Sequence, residues 1–155
     1  MSNAMQTHTP MAPTSELNPG EEVITSFTGD KTTYWRAHAW MAAVAMALGM
    51  GVLAALGNAH IWTGAVGGLA AIAVRAFYLA SDEVAARWDL TNRRLLGPGT
   101  RSIPLDQITL ARSLFSAVQI VTSGGDKHLL KYQADTAAVI AQIDAARGAE
   151  PETTP

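Results

Sequence analysis

Two apolar stretches, Ala37 to Leu56 and Ile61 to Leu79, lie one short spacer apart and constrain this chain more than any other feature. The first holds no formally charged residue, only His38, and the second holds one, Arg75, near its end. An α-helix rises about 1.5 Å per residue, so about 20 residues cover the ~30 Å hydrocarbon core of a bilayer. Joined by Gly57-Asn58-Ala59-His60, the pair is expected to form a transmembrane helical hairpin over residues 34–80.

The flanks fit that expectation. Trp35 and Trp40, beside Arg36, stand where an interfacial aromatic belt belongs; His60 and Trp62 mark the opposite interface, and Phe77 and Tyr78 the return. The spacer has no Lys or Arg, whereas Lys31 and Arg36 precede the first stretch and Arg75, Arg87, Arg93 and Arg94 follow or end the second. The positive-inside rule then puts both termini in the cytoplasm, with Arg75 snorkelling to that side rather than acting inside the bilayer. Ala43, Ala47, Gly51 and Ala55 recur every fourth residue, and Gly64 and Gly68 have GxxxG spacing with Gly67 and Ala71 beside them. Small residues let helices approach closely in lipid, so Ala43, Ala47, Gly51, Ala55, Gly64 and Gly68 are expected to pack helix on helix, or else protomer on protomer. Because Ala is only weakly apolar, burial of both helices inside a soluble oligomer is the competing reading.

The rest of the 155 residues is polar. Met1-Ser2-Asn3-Ala4 reads as an expression scar before a native Met5, and residues 5–19, rich in Thr, Pro and Ser, as a disordered leader. A polar stretch before the first apolar run leaves no visible cleavable signal peptide. Residues 20–33 form a juxtamembrane segment in which Glu22 to Phe27 alternates as a short strand, and 148–155 a disordered tail. From Val84 the texture turns to short β-type runs around Trp88-Asp89-Leu90, Arg93 to Leu96, Arg101 to Ile103, Gln107 to Arg112, Val118 to Thr122 and Lys127 to Tyr132. Ser123-Gly124-Gly125-Asp126 is a hairpin turn. Asp135 or Thr136 caps a final helix with Val139, Ile140, Ile143 and Ala146 on one face. The expected fold class is therefore α+β: a helical hairpin, then a small antiparallel barrel or sandwich over 81–147 closed by a C-terminal helix.

Composition excludes several functions. The chain has no cysteine, which removes disulfides, thiolate catalysis and thiolate metal sites. A net charge of −2 argues against a nucleic-acid partner. His8, His38, His60 and His128 stand at no metal-ligand spacing and read as solvated or interfacial. No GxSxG elbow or P-loop occurs, and the carboxylates after Val84 are scattered, so neither an enzyme nor a cofactor is expected.

The run Trp88-Asp89-Leu90-Thr91-Asn92-Arg93-Arg94-Leu95-Leu96 resembles the opening signature of bacterial pleckstrin-homology-like (PH-like) domains, aromatic-x-Leu-Thr-x-x-Arg-Leu. Ile103-Pro104-Leu105-Asp106-Gln107-Ile108 resembles their second landmark, Ile-Pro-Leu-x-x-Ile. Gly20-Glu21-Glu22-Val23-Ile24 ahead of two apolar helices is similar to the membrane-anchored members, and the likeness spans residues 20–147. It implies bent antiparallel sheets closed by a C-terminal helix, beside the bacterial inner membrane. Only six strands follow Val84 where seven complete the family's barrel; Val23 to Phe27 or a partner is left to supply the seventh. Assembly factors of photosynthetic membranes share a similar plan of anchor and module.

Residues 84–133 carry a net charge of +4, which suits an anionic leaflet. Arg94, Arg101, Lys127 and Lys131 are the candidate anionic-surface contacts. Eukaryotic PH relatives hold phosphoinositides in a basic loop between their first two strands; Thr91-Asn92 is too short for one, so that specificity is not carried over. The expected role is a bilayer-anchored scaffold or assembly module that presents a binding surface at the inner membrane, meeting a protein partner or a second copy through a strand edge or the groove beside the last helix. Sensing of anionic headgroups is the alternative.

Overall fold

The computed structural model describes residues 11–148. The expected scar, His8 and the tail beyond Gly148 lie outside them. Strand β1 (Val23–Thr28) comes first, then helices α1 (Lys31–Ala55) and α2 (Trp62–Ala85). Strands β2 (Arg87–Thr91), β3 (Arg94–Leu96), β4 (Ser102–Pro104), β5 (Ile108–Leu114), β6 (Ala117–Thr122) and β7 (Lys127–Leu130) follow, with a 3-10 turn at Leu105–Gln107. Helix α3 (Thr136–Gly148) closes the order.

Helix α1 starts where Asp30 accepts hydrogen bonds from the Thr33 backbone N–H at 2.7 Å and its hydroxyl at 2.8 Å. It stops in a Schellman motif. Gly57 takes a φ of 68°, its N–H donates to the Ala54 carbonyl, and the Asn58 N–H donates to that of Leu53. Helix α2 returns antiparallel and runs past Leu79 to Ala85, so its last turns, with Asp82 and Glu83, project beyond the apolar stretch. Both helices are long and apolar enough to cross a membrane. Their outer faces stay bare: Trp40 is 70% exposed, and Val44, Leu48, Val66, Val74 and Phe77 are exposed with it.

The packing face of α1 is not the one expected. A Cβ placed at Gly49 or Gly64 would collide with the other's backbone, and one at Gly68 would lie 2.6 Å from the Ala45 carbonyl. His38, Ala42, Ala45, Gly49 and Leu53 thus turn toward α2, while Ala43, Ala47, Gly51 and Ala55 are exposed, with nothing within 4 Å of a Cβ at Gly51. This corrects the assignment of those four residues to packing within the hairpin.

The β-module is two antiparallel sheets, β1-β2-β3-β4 and β5-β6-β7. No ladder joins them, so the expected barrel is not closed. Val23–Thr28 provides the seventh strand, with Phe27 opposite Trp88 and Thr25 opposite Leu90. Phe27, Trp88, Leu90, Leu95, Ile103, Ile120 and Leu130 form the core, with Val139 and Ile143 of α3 laid over it. Period-2 alternation explains the strands: Trp88 and Leu90 point into the core, while Asp89 between them takes the Ser26 hydroxyl at 2.7 Å on the other face.

Residues 11–19, expected to lack structure, instead lie along the module. The Arg87 N–H donates to the Met11 carbonyl, the Thr14 N–H to that of Gly99 and the Gly99 N–H to that of Ala12. A segment without hydrophobic period is fixed here by backbone pairing, which leaves no trace in composition.

Candidate functional site

Strand β1 pairs only with β2, so its outer edge is open. Across that edge stands α3, which packs chiefly on β5 and β6 and leaves a gap toward β1. The gap is a groove in two adjoining parts. One, of about 580 Å³, is lined by Thr25, Phe27, Lys31, Gln133 and Ala138 among others; the second, of about 510 Å³, by Ile24, Thr25, Gln142, Ala145 and Ala146. Ile24 is 57% exposed at its lip. Strand backbone open but for the Thr28 carbonyl, which accepts from Gln133 Nε2 at 3.4 Å, beside side chains that are largely polar in the first part and apolar in the second, is suited to an added extended strand.

The mouth of this groove adjoins the junction between helices and module. The Asp30 N–H donates to the Tyr132 carbonyl at 2.7 Å, and Gln133 Nε2 donates to that of Lys131 at 2.9 Å. The Tyr132 ring meets Tyr34 edge-on at 4.9 Å, and its hydroxyl donates to Glu83 Oε2 at 2.8 Å. Burial, and then the Glu83 carboxylate, push the Tyr132 phenol above its ordinary range, so it stays a donor. Lys131 Nζ reaches Glu83 Oε1 at 3.5 Å. The Tyr34 hydroxyl donates to the Ala76 carbonyl at 2.7 Å, which ties α1 to α2. His38, expected to be solvated or interfacial, is 3% exposed, with Nδ1 2.9 Å from the Tyr34 carbonyl and no partner on Nε2. That carbonyl only accepts, so Nδ1 carries the proton.

Tyr132 is therefore the pin of the junction. Tyr132→Phe keeps the ring but removes a hydrogen bond to a carboxylate, a loss of about 1.5–3 kcal/mol. Hydrogen exchange is expected to quicken at residues 131–133 and at the end of α2, with the amides of β6 unchanged.

The four basic candidates do not form one patch. Arg94 is committed: Nε donates to Glu21 Oε1 at 2.9 Å and Nη2 to Oε2 at 3.0 Å. The same carboxylate, whose side chain is 0% exposed, also takes the Thr91 hydroxyl at 2.7 Å and the Asn18 N–H at 2.8 Å. The Arg94 hydrogen bonds hold the Glu21 carboxyl at about 2, against a burial that raises it, and Glu21 in turn raises Arg94. Arg94 is thus removed from the set of surface contacts. Lys131 is answered by Glu83, and Arg101 shares a cleft of about 270 Å³ with both. Lys127 begins β7, about 13 Å along the strand direction from Lys131. Among the described residues no three His, Asp or Glu side chains gather as a metal site.

The sequence reading missed Glu21 and Glu83, whose partners lie far along the chain, and Phe115, which stands in a turn that only Ser116 beside it announces. Comparison with protein-family models, with curated proteins and with solved structures finds no match to this chain.

Proposed function

We propose that this protein is a non-catalytic membrane-anchored module, a scaffold or assembly factor that holds an extended segment of a partner protein at the cytoplasmic face of a bacterial inner membrane. The observation that carries this reading is the open edge of β1 facing α3 across a groove with small-residue walls. An added strand would take its backbone hydrogen bonds from β1 and set alternate side chains toward Ile24 and Ala145. The bare outer faces of α1 and α2 support the anchor, and Lys31, Arg36, Arg87 and Arg93 at one end support cytoplasmic termini. Four plus three antiparallel strands with a closing helix are in keeping with the PH-like resemblance, though the sheets stay unjoined.

A photo-crosslinking side chain at Ile24 of the full chain, in native membranes, is expected to give a discrete protein adduct. The Ala145→Trp variant, which fills the groove, should reduce that adduct about tenfold, equivalent to 1.4 kcal/mol. Neutralising Arg101 and Lys127 together should leave it unchanged. The reverse pattern, with salt-sensitive binding to anionic vesicles lost on neutralisation, would replace this reading with headgroup sensing.

A further inference from the structure

Phe115 occupies a costly position twice over. It is 97% exposed, and it takes a φ of 55° in the two-residue turn closed by Leu114 opposite Ala117. A left-handed first turn position is normally filled by Gly, Asn or Asp. An aromatic ring kept in strained backbone and in water is an outlier that points to a use.

Its surroundings say which. Phe115 and Ser116 form one wall of a slot of about 680 Å³ whose other wall is α1, through Arg36, Ala37, Trp40 and Met41. The lining is almost all carbon, and among the described residues the Arg36 guanidinium makes no ion pair. Arg36 to Leu56 covers about 30 Å of helix, the thickness of the hydrocarbon core. With Leu56 at the far boundary Arg36 stands at the near one. Phe115, sharing the slot with Trp40 and Met41 a turn deeper, then reaches inside that boundary. The slot opens onto the exposed apolar face of α1 that continues through Trp40 and Val44.

We infer that the β5–β6 turn is a membrane wedge and that its slot holds one phospholipid of the adjoining leaflet. Arg36 holds the phosphate, with Ser116 beside it, and Phe115, Trp40 and Met41 clasp the start of an acyl chain. Asp30 feels the Arg36 charge without forming an ion pair with it; a cation so placed beside carbon walls suits a phosphodiester bearing a chain, and continuity with the spanning helices supplies it from the bilayer. The inference rests on the membrane reading but not on the β1 groove. It uses none of the four basic residues considered above.

The test counts phospholipid on the full chain released into mild detergent from phosphatidylcholine–phosphatidylglycerol nanodiscs, by native mass spectrometry. One phospholipid per chain is expected on wild type and on Arg101→Gln, with occupancy about tenfold lower on Phe115→Gly and on Arg36→Gln. Glycine relieves the left-handed φ, so Phe115→Gly should melt no lower than wild type and its loss of lipid is not a loss of fold. Wild-type occupancy in either variant, or no phospholipid on wild type, overturns the site. A nitroxide on Val52→Cys, unique because the chain has no cysteine, separates the two failures. A label in hydrocarbon with unchanged occupancy sinks this site alone, whereas a label in water sinks the membrane reading with it.

Discussion

Gly49→Leu is expected to unseat the helical hairpin, while Gly51→Leu, two residues on, leaves it standing. At Gly49 a Cβ would lie 2.9 Å from the Gly64 carbonyl carbon and 3.2 Å from its Cα. The obstruction is backbone, so no rotamer relieves it. Gly64 faces the same limit, 2.7 Å from the Met50 nitrogen. In lipid there is no hydrophobic drive between helices, and association rests on close packing over the whole interface. Forcing the axes apart at Gly49 also forfeits the neighbouring contact of Gly68 with Ala45. Overpacking costs about 1–3 kcal/mol, and the upper end is expected here because two touching backbones must separate. At Gly51 a side chain enters open space. The check is an SDS titration of the reconstituted chain followed by helix content. Equal midpoints for the two variants would refute the account.

That contrast shows where the sequence stops being informative about the helices. Their existence and the turn between them are legible because apolar runs, a Gly-Asn pair and flanking tryptophans each have a local cause; their outer ends are not, since α1 begins at Lys31 and α2 continues to Ala85 through polar residues. The spacing of Gly64 and Gly68 is legible on the same terms. The rotation of α1 is not: Ala and Gly occur all round the helix, so Ala43-Ala47-Gly51-Ala55 and Ala42-Ala45-Gly49 are equally good stripes on paper. A helix apolar on every side has no amphipathic phase to read. Only the partner's glycine decides between them.

The β-module divides in a similar way. Strands with alternation, such as Trp88 to Leu90 and Val118 to Thr122, are readable, as is the Gly124-Gly125 turn. The turn at Phe115 is hidden because its residue contradicts the usual turn chemistry. The two walls of the candidate groove are each legible, β1 by period 2 and α3 by period 3.6, but nothing local says that they face one another. Pairings across seventy residues, such as Thr91 with Glu21, are likewise beyond a linear reading. For that reason Arg94 passes in the sequence for a surface cation.

Arg94→Met is accordingly expected to destabilise the module by about 3–5 kcal/mol, the usual consequence of leaving a buried charge without its partner. Glu21 keeps only the Thr91 hydroxyl and the Asn18 N–H against its burial. Acid supplies the second half of the test. The Glu21 carboxyl stands at about 2 in the folded chain against an ordinary 4.5. A carboxyl depressed on folding stabilises above its unfolded value and loses that contribution as pH falls through the folded one. Wild type should therefore weaken between about pH 4.5 and 2, by about 3 kcal/mol in all. In Arg94→Met the largest cause of the depression is gone and burial opposes the two remaining hydrogen bonds, so most of that acid slope should vanish. Glu21→Gln with Arg94→Met removes the charge as well as its partner and should recover much of the loss. Chemical denaturation across that pH range, read by the fluorescence of the buried Trp88 in a chain with its other tryptophans replaced by phenylalanine, measures all three. An undiminished acid slope in Arg94→Met would mean that Arg94 is not what holds Glu21 ionised.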